Sequence, residues 1–153
     1  MYIRSYKKED AQSVKNLITS IMSQEFSDEQ KAYQYNDLDS IDQAYGSVTE
    51  KFLVAKEDSS VIGTVGIKED TKSNALLRRL FVHPSHRERG IGSMLVDTAL
   101  DFCKLSGYKY VNFRATSKMK AAIDLLCKKK GFIEKDRCFL DGIEIINLSY
   151  KIK

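Results

Sequence analysis

The sequence predicts an α/β (α+β) fold, a mixed sheet with helices on both of its faces. Three observations predict it. Apolar residues at helical spacing alternate along the chain with short runs rich in β-branched and aromatic residues. Two pairs of these runs are joined by short polar turns, which is typical of antiparallel hairpins. The elements follow one another as a strand, helical segments, three strands, a helix, a strand, a helix and two strands, an order that indicates helices packed on a single sheet.

The chain opens with a strand and a helix, and an acidic segment follows them. Residues 2–4 form the strand, and the helix is indicated by apolar residues three and four positions apart, namely Val14, Leu17, Ile18 and Ile21. Residues 24–50 hold seven acids against one lysine. We expect this acidic segment to be a broken helix with loops.

Three strands come next, at residues 52–55, 61–67 and 76–82. The first two flank a polar turn and therefore predict a hairpin. The third ends before Pro84, where the chain cannot continue as a paired strand. Arg78 and Arg79 are adjacent in this strand, so we expect their side chains on opposite faces of the sheet, exposed and ion-paired. The alternative is that one of them reaches into a ligand cleft.

The second half of the chain begins with a helix that follows Gly90-Ile91-Gly92 and keeps one apolar face as far as Cys103. The remaining elements are a strand at 109–114, a helix at 119–130 ended by Gly131, and strands at 132–133, 139–140 and 145–152. Asp141-Gly142 is the two-residue turn that joins the last two strands.

Length and composition exclude several classes of protein. A chain of 153 residues predicts a single domain, residues 1–153. Its apolar runs fall short of the ~18 residues of a membrane span, and no signal-peptide core is recognisable, so we expect no membrane association and a cytoplasmic location. Cys103, Cys127 and Cys138 are widely spaced and far from both histidines, so we expect neither a disulfide framework nor a metal site.

Charge is unevenly distributed along the chain. Residues 24–50 carry a net charge of −6, whereas residues 71–130 carry thirteen basic residues against four acids. Such a basic half binds a polyanion, either nucleic acid or a multiply phosphorylated cofactor. Its aromatic residues alternate in the manner of core residues rather than as exposed stacking platforms, so we expect no nucleic-acid partner.

The turn Arg87-Glu88-Arg89-Gly90-Ile91-Gly92, between a strand and an amphipathic helix, predicts an anion-binding site. Gly90 and Gly92 leave room for a ligand to approach the backbone and permit backbone conformations that other residues avoid. The unpaired N–H groups of the first helical turn point at the anion, and the helix dipole adds to the attraction. The extra residues of nucleoside-triphosphate and dinucleotide loops are missing.

Residues 80–92, Leu-Phe-Val-His-Pro-Ser-His-Arg-Glu-Arg-Gly-Ile-Gly, resemble the acyl-CoA-binding signature of the GCN5-related N-acetyltransferase (GNAT) family. That signature is a strand ending in hydrophobic-x-Val-x-Pro, followed by Arg/Gln-x-x-Gly-x-Gly/Ala and a helix. Residues 3–11, 62–65 and 126–132 are similar to further elements of the family. The resemblance implies a mostly antiparallel sheet of about six or seven strands, splayed at the cofactor site. It also implies a metal-independent transfer of acetyl from acetyl-CoA to an amine by direct attack.

The resemblance assigns roles residue by residue. Backbone N–H groups of the turn would hold the CoA pyrophosphate, with Ser93 at the helix start; the turn consists of Arg87, Glu88, Arg89, Gly90, Ile91 and Gly92. Backbone groups of Leu80, Phe81 and Val82 would pair with the pantetheine arm where the sheet splays at a bulge. One N–H near Phe81 or Val82 would polarise the acetyl carbonyl.

Two positions depart from the family pattern. Cys127 stands where the family often has a tyrosine that protonates the leaving thiolate, and a buried packing cysteine is the alternative interpretation. Leu76 stands where many members carry a glutamate base. Without this glutamate, three alternatives remain for the proton of the amine. A bound water relays it, or the amine arrives already neutral. Otherwise the base comes from the acidic segment or is Glu69 or Asp70.

In this family the region after the first helix usually shapes the acceptor site. Here that region is acidic and holds Tyr33, Tyr35 and Tyr45, which favours a cationic acceptor such as a polyamine, an aminoglycoside or a lysine-bearing peptide. A solvated acidic surface is the alternative interpretation. The acceptor is predicted to be a small molecule or a peptide, and a non-catalytic acyl-CoA-binding module is the alternative function. A homodimer is a further expectation from the resemblance; residues 145–152 could offer the edge for pairing, but the sequence leaves open which edge of the sheet is exposed.

Overall fold

The computed structural model describes residues 1–32 and 36–153. Seven strands form a single sheet: β1 (Tyr2–Ser5), β2 (Lys51–Glu57), β3 (Ser60–Glu69), β4 (Asn74–Val82), β5 (Tyr110–Thr116), β6 (Ile133–Leu140) and β7 (Ile143–Lys151). The α-helices are α1 (Ala11–Glu25), α2 (Ile41–Ala44), α3 (Ile91–Leu105) and α4 (Lys120–Asp124). The predicted order of elements is therefore confirmed.

The strands lie in the order β1-β2-β3-β4-β5-β7-β6. Neighbouring strands are antiparallel except β4 and β5, which are parallel. A parallel pair needs a long crossover, and α3 provides it. The mixed, mostly antiparallel sheet expected from the sequence is confirmed.

Both predicted hairpin turns are confirmed, and each uses residues in the left-handed backbone region. Asp58 (φ 56°) lies in the turn between β2 and β3. Asp141 (φ 51°) and Gly142 (φ 77°) join β6 to β7, and a positive φ at both central residues is what a two-residue hairpin turn requires. The Asp141-Gly142 turn therefore fixes which residues of β6 and β7 pair with each other.

The two faces of the sheet carry separate hydrophobic cores, because successive residues of a strand point to opposite sides. On β2, Leu53 and Ala55 pack into the core beneath α3, whereas Phe52 and Val54 pack into the core beneath α1 and α2. Helices therefore cover both faces, as the sequence predicts.

The acidic segment forms short helical pieces, as expected. Ser27–Ala32 and Asn36–Asp39 are 3₁₀ turns, and α2 follows them. The late helix is more irregular than its sequence suggests. After α4, residues Leu125–Lys129 form a π-helical turn, and Gly131 (φ 80°) ends the helix in the predicted left-handed conformation.

The edge of the sheet differs from expectation. Residues 145–152 belong largely to β7, which is paired on one side to β5 and on the other to β6. The expected dimer edge is therefore wrong, because this strand has no free side. The edge on this side of the sheet is β6, and every residue of that strand is exposed.

Three further features concern a buried cysteine, metal-binding groups and membrane-spanning helices. Cys103 is buried, and burial raises the pKa of its thiol to about 12. Across residues 1–32 and 36–153, no group of three or more histidine, cysteine or acidic side chains is arranged to hold a metal ion. In the same ranges, no helix has both the length and the apolar character needed to cross a membrane.

Candidate functional site

The candidate site begins where the parallel pair of strands separates. Strands β4 and β5 are paired only from Asn74 with Tyr110 to Leu77 with Phe113. Beyond that point β4 continues against β3, while β5 continues against β7. The two strands diverge and leave a gap between them, and this confirms the splayed sheet.

A β-bulge lies on β4 just beyond the point of separation. The register between β3 and β4 shifts between Thr64 and Gly66, so β4 carries an extra residue there. Arg79 is the residue at this bulge, and its backbone lies in the left-handed region with φ 56°. The hydroxyl of Thr64 donates to the carbonyl oxygen of Arg79 at 2.7 Å. A positive φ in arginine costs about 1 kcal/mol or more, so neighbouring contacts must hold it.

The side chain of Arg79 is held by a buried ion pair. Its Nε lies 3.0 Å from Oδ2 of Asp37, and its Nη2 lies 2.5 Å from Oδ1. Tyr45 donates its hydroxyl to the same carboxylate at 2.7 Å. Burial alone would raise the pKa of Asp37, but the hydrogen bonds and charge of Arg79 lower it overall. The expectation that Arg79 is exposed is wrong, because the bulge breaks the alternation of the strand and turns its side chain inward.

The gap between the strands opens into a cleft of about 920 Å³. One wall is β4 from Leu76 to Val82. The other walls are the turn and first residues of α3, the start of α4 with its π-helical turn, and the end of α1. All of the predicted cofactor-binding residues line this cleft except Arg89.

Backbone geometry at the start of α3 fits the predicted anion cradle. Glu88 (φ 62°) and Gly90 (φ 78°) are both in the left-handed region. No side chain caps the helix, so the first N–H groups, at Ile91, Gly92 and Ser93, are left to a ligand or to water. With the helix dipole behind them, these groups form a site for an anion.

Gly92 borders the passage from the cradle into the cleft. A methyl group added there would lie 3.5 Å from a carbon of Leu125 and 3.6 Å from a carbon of Val82. The protein itself would tolerate that methyl, since these are ordinary contacts. The missing side chain therefore keeps open a space between Val82 and Leu125 that a ligand can use.

The arginine side chains of the turn are used to anchor it. Arg87 forms two bonds of 2.8 Å to Glu25 at the end of α1 and a bond of 3.1 Å to the carbonyl oxygen of Val82. Arg89 lies 2.7 Å from Glu57 and lowers the pKa of that carboxyl. The groups that face the cleft at this turn are therefore mainly backbone N–H groups.

Positive side chains stand across the cleft from the cradle. Lys120 and Lys129 line it, and neither has an ion pair within the part of the chain that the structure describes. Lys118 also lines the cleft but lies 3.3 Å from both Asp28 and Glu29. The two unpaired lysines are placed to attract an anionic ligand.

The two departures from the family pattern fall in different places. Leu76 lines the cleft. Cys127 is half-buried, packs against the core beneath α3, and is not one of the described residues that line the cleft. Burial raises the pKa of its thiol, and the charges of Glu134 and Asp124 raise it further. Cys127 thus has the contacts of a packing residue, and its general-acid role stays a prediction.

Only part of the expected acidic and aromatic surface is described, and Glu25 of the acidic segment does line the cleft. Tyr45 is only 5% exposed and bonds to Asp37 rather than lining the cleft. Tyr33 and Tyr35 lie outside the described residues. Arg78 and Arg114 also line the cleft. Arg78 agrees with the alternative that one arginine of β4 reaches into a cleft, whereas the sequence gives no signal for Arg114, which the parallel pairing of β4 and β5 brings beside it.

The chain is similar to proteins of one family. The sequence model of the Acetyltransferase (GNAT) family matches residues 11–132. N-acetyltransferase 8B of Rattus norvegicus is 34% identical over 110 residues, which are 65% of this chain and 49% of that protein. The chain spans 35% and 49% of the length of the curated relatives that it matches.

Solved structures share the fold. An acetyltransferase of the GNAT family from Staphylococcus aureus Mu50 is 23% identical, with a TM-score of 0.84 over 99% of both chains. The protein yncA of Salmonella typhimurium, solved with its cofactor acetyl-CoA, is 18% identical, with a TM-score of 0.81 over 100% of this chain and 94% of that one. At these identities the likeness describes the architecture of the sheet and its helices.

Proposed function

The chain belongs to the GNAT family of acetyltransferases, and we propose that it transfers the acetyl group of acetyl-CoA to a primary amine of a small molecule or a peptide. One observation carries the proposal. The backbone cradle at the start of α3 opens directly into the gap between the separated strands β4 and β5. A ligand with an anionic end and a long amide-bearing arm fits that combination of features.

The cradle suits the pyrophosphate of CoA. The proposed donors are the backbone N–H groups of residues 87–92 and of Ser93, which a helix leaves unpaired at its start. The open space beside Gly92 allows close approach to this backbone. Lys120 and Lys129 add positive charge on the opposite wall, where the phosphates of CoA would be attracted.

The arm of the ligand would run along β4. Beyond Leu77, β5 no longer pairs with this strand, so the edge at Leu80, Phe81 and Val82 can pair with the pantetheine amides. We propose that an N–H near Phe81 or Val82 polarises the acetyl carbonyl. The bulge at Arg79 supports this role, because it changes the direction of β4 immediately before these residues.

The bound thioester supplies an activated acetyl group, and the chain must manage two proton steps around it. The incoming amine has to lose a proton before it can attack, and the CoA thiolate released when the thioester bond breaks has to gain one. Glu69 and Asp70 line the cleft beyond Leu76, and we propose that water in the cleft relays the proton of the amine towards them. A general-acid role for Cys127 stays a prediction, and its position away from the cleft lining gives it no support.

The proposal is tested by incubating the protein with acetyl-CoA and a pooled panel of amines, followed by mass spectrometry. The panel holds amino acids, polyamines, aminoglycosides and peptides with free N-termini. The expected result is a mass increase of one acetyl group on at least one amine. Tight binding of acetyl-CoA with no acetylated product would favour the non-catalytic binding module instead.

A further inference from the structure

Two arginines meet at the point where β4 and β5 separate. Leu77 and Phe113 are the last paired residues of these strands, and Arg78 and Arg114 follow them directly. Leu77 and Phe113 are both buried in the core beneath α3. Because side chains alternate along a strand, Arg78 and Arg114 both point to the opposite face of the sheet. Both line the cleft there.

Arg78 is available to a ligand. Its side chain makes no hydrogen bond or ion pair within residues 1–32 and 36–153. The charge of Asp37 is close enough for Arg78 to lower the pKa of that carboxyl. However, both oxygens of Asp37 are occupied by Arg79, and Tyr45 donates to one of them as well. A cation that is half-buried in a cleft without a bonded anion is a recognition group for an anionic ligand.

The acids of this region are used elsewhere or lie farther along the hairpin. Glu50 bonds to Lys68 and to the backbone N–H of Glu69. Glu69 accepts from Thr49 at 3.1 Å. Glu69 and Asp70 line the cleft at the end of β3, whereas Arg78 lies two residues past Leu76, nearer the bulge. The acceptor would therefore meet positive charge next to the reacting group.

We propose that the acceptor is a small amino acid-like molecule, in which the reacting amine and a carboxylate share a short carbon chain, and that Arg78 and Arg114 bind the carboxylate. A guanidinium matches a carboxylate with two parallel hydrogen bonds, which fixes orientation as well as charge. This inference rests on the proposed acetyl transfer and names its substrate class.

The spacing along β4 supports a short molecule. Arg78 and Leu80 are two residues apart, at most about 7 Å along a strand, and the bulge at Arg79 between them shortens that span. The proposed carbonyl-polarising N–H lies just beyond Leu80. A carboxylate held by Arg78 thus leaves room for a short carbon chain, rather than a polyamine, between itself and the attacking nitrogen.

The test compares amino acids with their own amides. Alanine and alaninamide, and β-alanine and its amide, differ in charge but hardly in shape. The amide has the less basic amine and so more of the neutral, reactive form at pH 7. A preference for the carboxylate therefore has to come from binding. We expect the carboxylate to be favoured about tenfold or more in kcat/KM, through its acceptor KM.

Variants locate the effect. Arg78→Gln should abolish the preference for the carboxylate, and Arg114→Gln should reduce it, while the affinity for acetyl-CoA measured by calorimetry stays within about twofold. Arg137→Gln, on the exposed strand β6, is the matched loss of one arginine and should leave the preference unchanged.

The outcomes are distinguishable. If the amides or polyamines are better acceptors than the amino acids, or if Arg78→Gln keeps the preference, the inference is wrong although acetyl transfer stands. If peptides with an acidic second residue exceed every free amino acid, the assignment to a small molecule is wrong. If acetyl-CoA binds and no amine in either set is acetylated, the proposed function fails and the inference fails with it.

Discussion

The two ends of the cleft are built in different ways. At the α3 end, most of one continuous stretch of chain, residues 80–93, lines the cleft, and its two arginine side chains are bonded to Glu25 and Glu57. At the acceptor end, side chains from separate strands, such as Arg78 and Arg114, come together only because the sheet pairs β4 with β5.

The difference explains what each end recognises. A backbone cradle binds the same anion with almost any side chains, provided that the glycines and the turn are kept. A pocket made of side chains changes its ligand whenever one residue changes. We therefore propose that the α3 end binds the cofactor through its backbone and that side chains at the other end select the acceptor.

The largest effect is expected from Gly90→Glu. A side chain at φ 78° is strained, and a carboxylate placed beside the proposed pyrophosphate repels it. We expect the affinity for acetyl-CoA to fall about a thousandfold, or about 4 kcal/mol, as measured by calorimetry. The matched control is Gly107→Glu, since Gly107 (φ 89°) has the same strain and open space, but at the far end of α3. Equal losses in both variants would contradict a cradle at Gly90.

Asp37→Asn tests the support beneath the acceptor end. It leaves the buried guanidinium of Arg79 without its counter-charge, so we expect the free energy of unfolding to fall by about 3 kcal/mol in urea titrations at pH 7. Asp39→Asn is the control. Asp39 is exposed and bonded to Lys15, and its loss should cost about 0.5 kcal/mol or less. Similar losses in the two variants would show that the buried pair does not hold this region.

The same variant has a predicted pH dependence. Because the pKa of Asp37 is lower in the folded protein than its ordinary value, its ionised form stabilises the fold above about pH 4. That contribution is lost as the pH falls through the folded pKa. The difference in stability between wild type and Asp37→Asn should therefore be constant from pH 7 to 5 and shrink below about pH 4. A gap that stays constant at pH 3 would contradict the assigned ionisation.

Thr64→Val separates the bulge from the cradle. The change removes the hydroxyl that bonds to the carbonyl oxygen of Arg79 while nearly keeping the side-chain shape. We expect a loss of about 1–2 kcal/mol in stability, together with a fall in kcat, because the bulge beside the proposed carbonyl-polarising N–H is less well held. Thr98→Val, whose hydroxyl bonds to a carbonyl within α3, is the control and should leave kcat unchanged.

The smallest effect is expected from Cys127→Ala. The thiol packs against the core and does not line the cleft among the described residues, so kcat should stay within about threefold of wild type, a change of less than 1 kcal/mol. Cys127→Ser is made alongside to keep a proton donor at that position. A large loss in the alanine variant that serine restores would instead establish the general-acid role.

Most of the fold could be predicted because its signals are local. Apolar spacing identifies α1 and α3, and Asp141-Gly142 alone identifies the last hairpin. The position of β7 inside the sheet could not be predicted, since it depends on which strand pairs with β5 at long range. The assignment of residues 1–153 to a single domain and the cytoplasmic location stay predictions.

The candidate site also has a part that could be predicted from the sequence and a part that could not. The cradle could be predicted from Gly90 and Gly92, because backbone sites leave short motifs. The family resemblance implies a bulge on this strand, but nothing in the sequence places it at Arg79, where a left-handed arginine is stabilised by Asp37, 42 residues away. Nor does the sequence indicate that Arg78 and Arg114 are neighbours, because that depends on the pairing of β4 with β5.

The central claim is that backbone N–H groups at the start of α3 and on β4 hold acetyl-CoA. It is tested most directly by recording backbone amide shifts in the nitrogen-15-labelled protein while CoA is added. The account predicts that the largest shifts fall on residues 88–93 and 80–82. Binding that shifts amides elsewhere, with residues 88–93 unchanged, would contradict it.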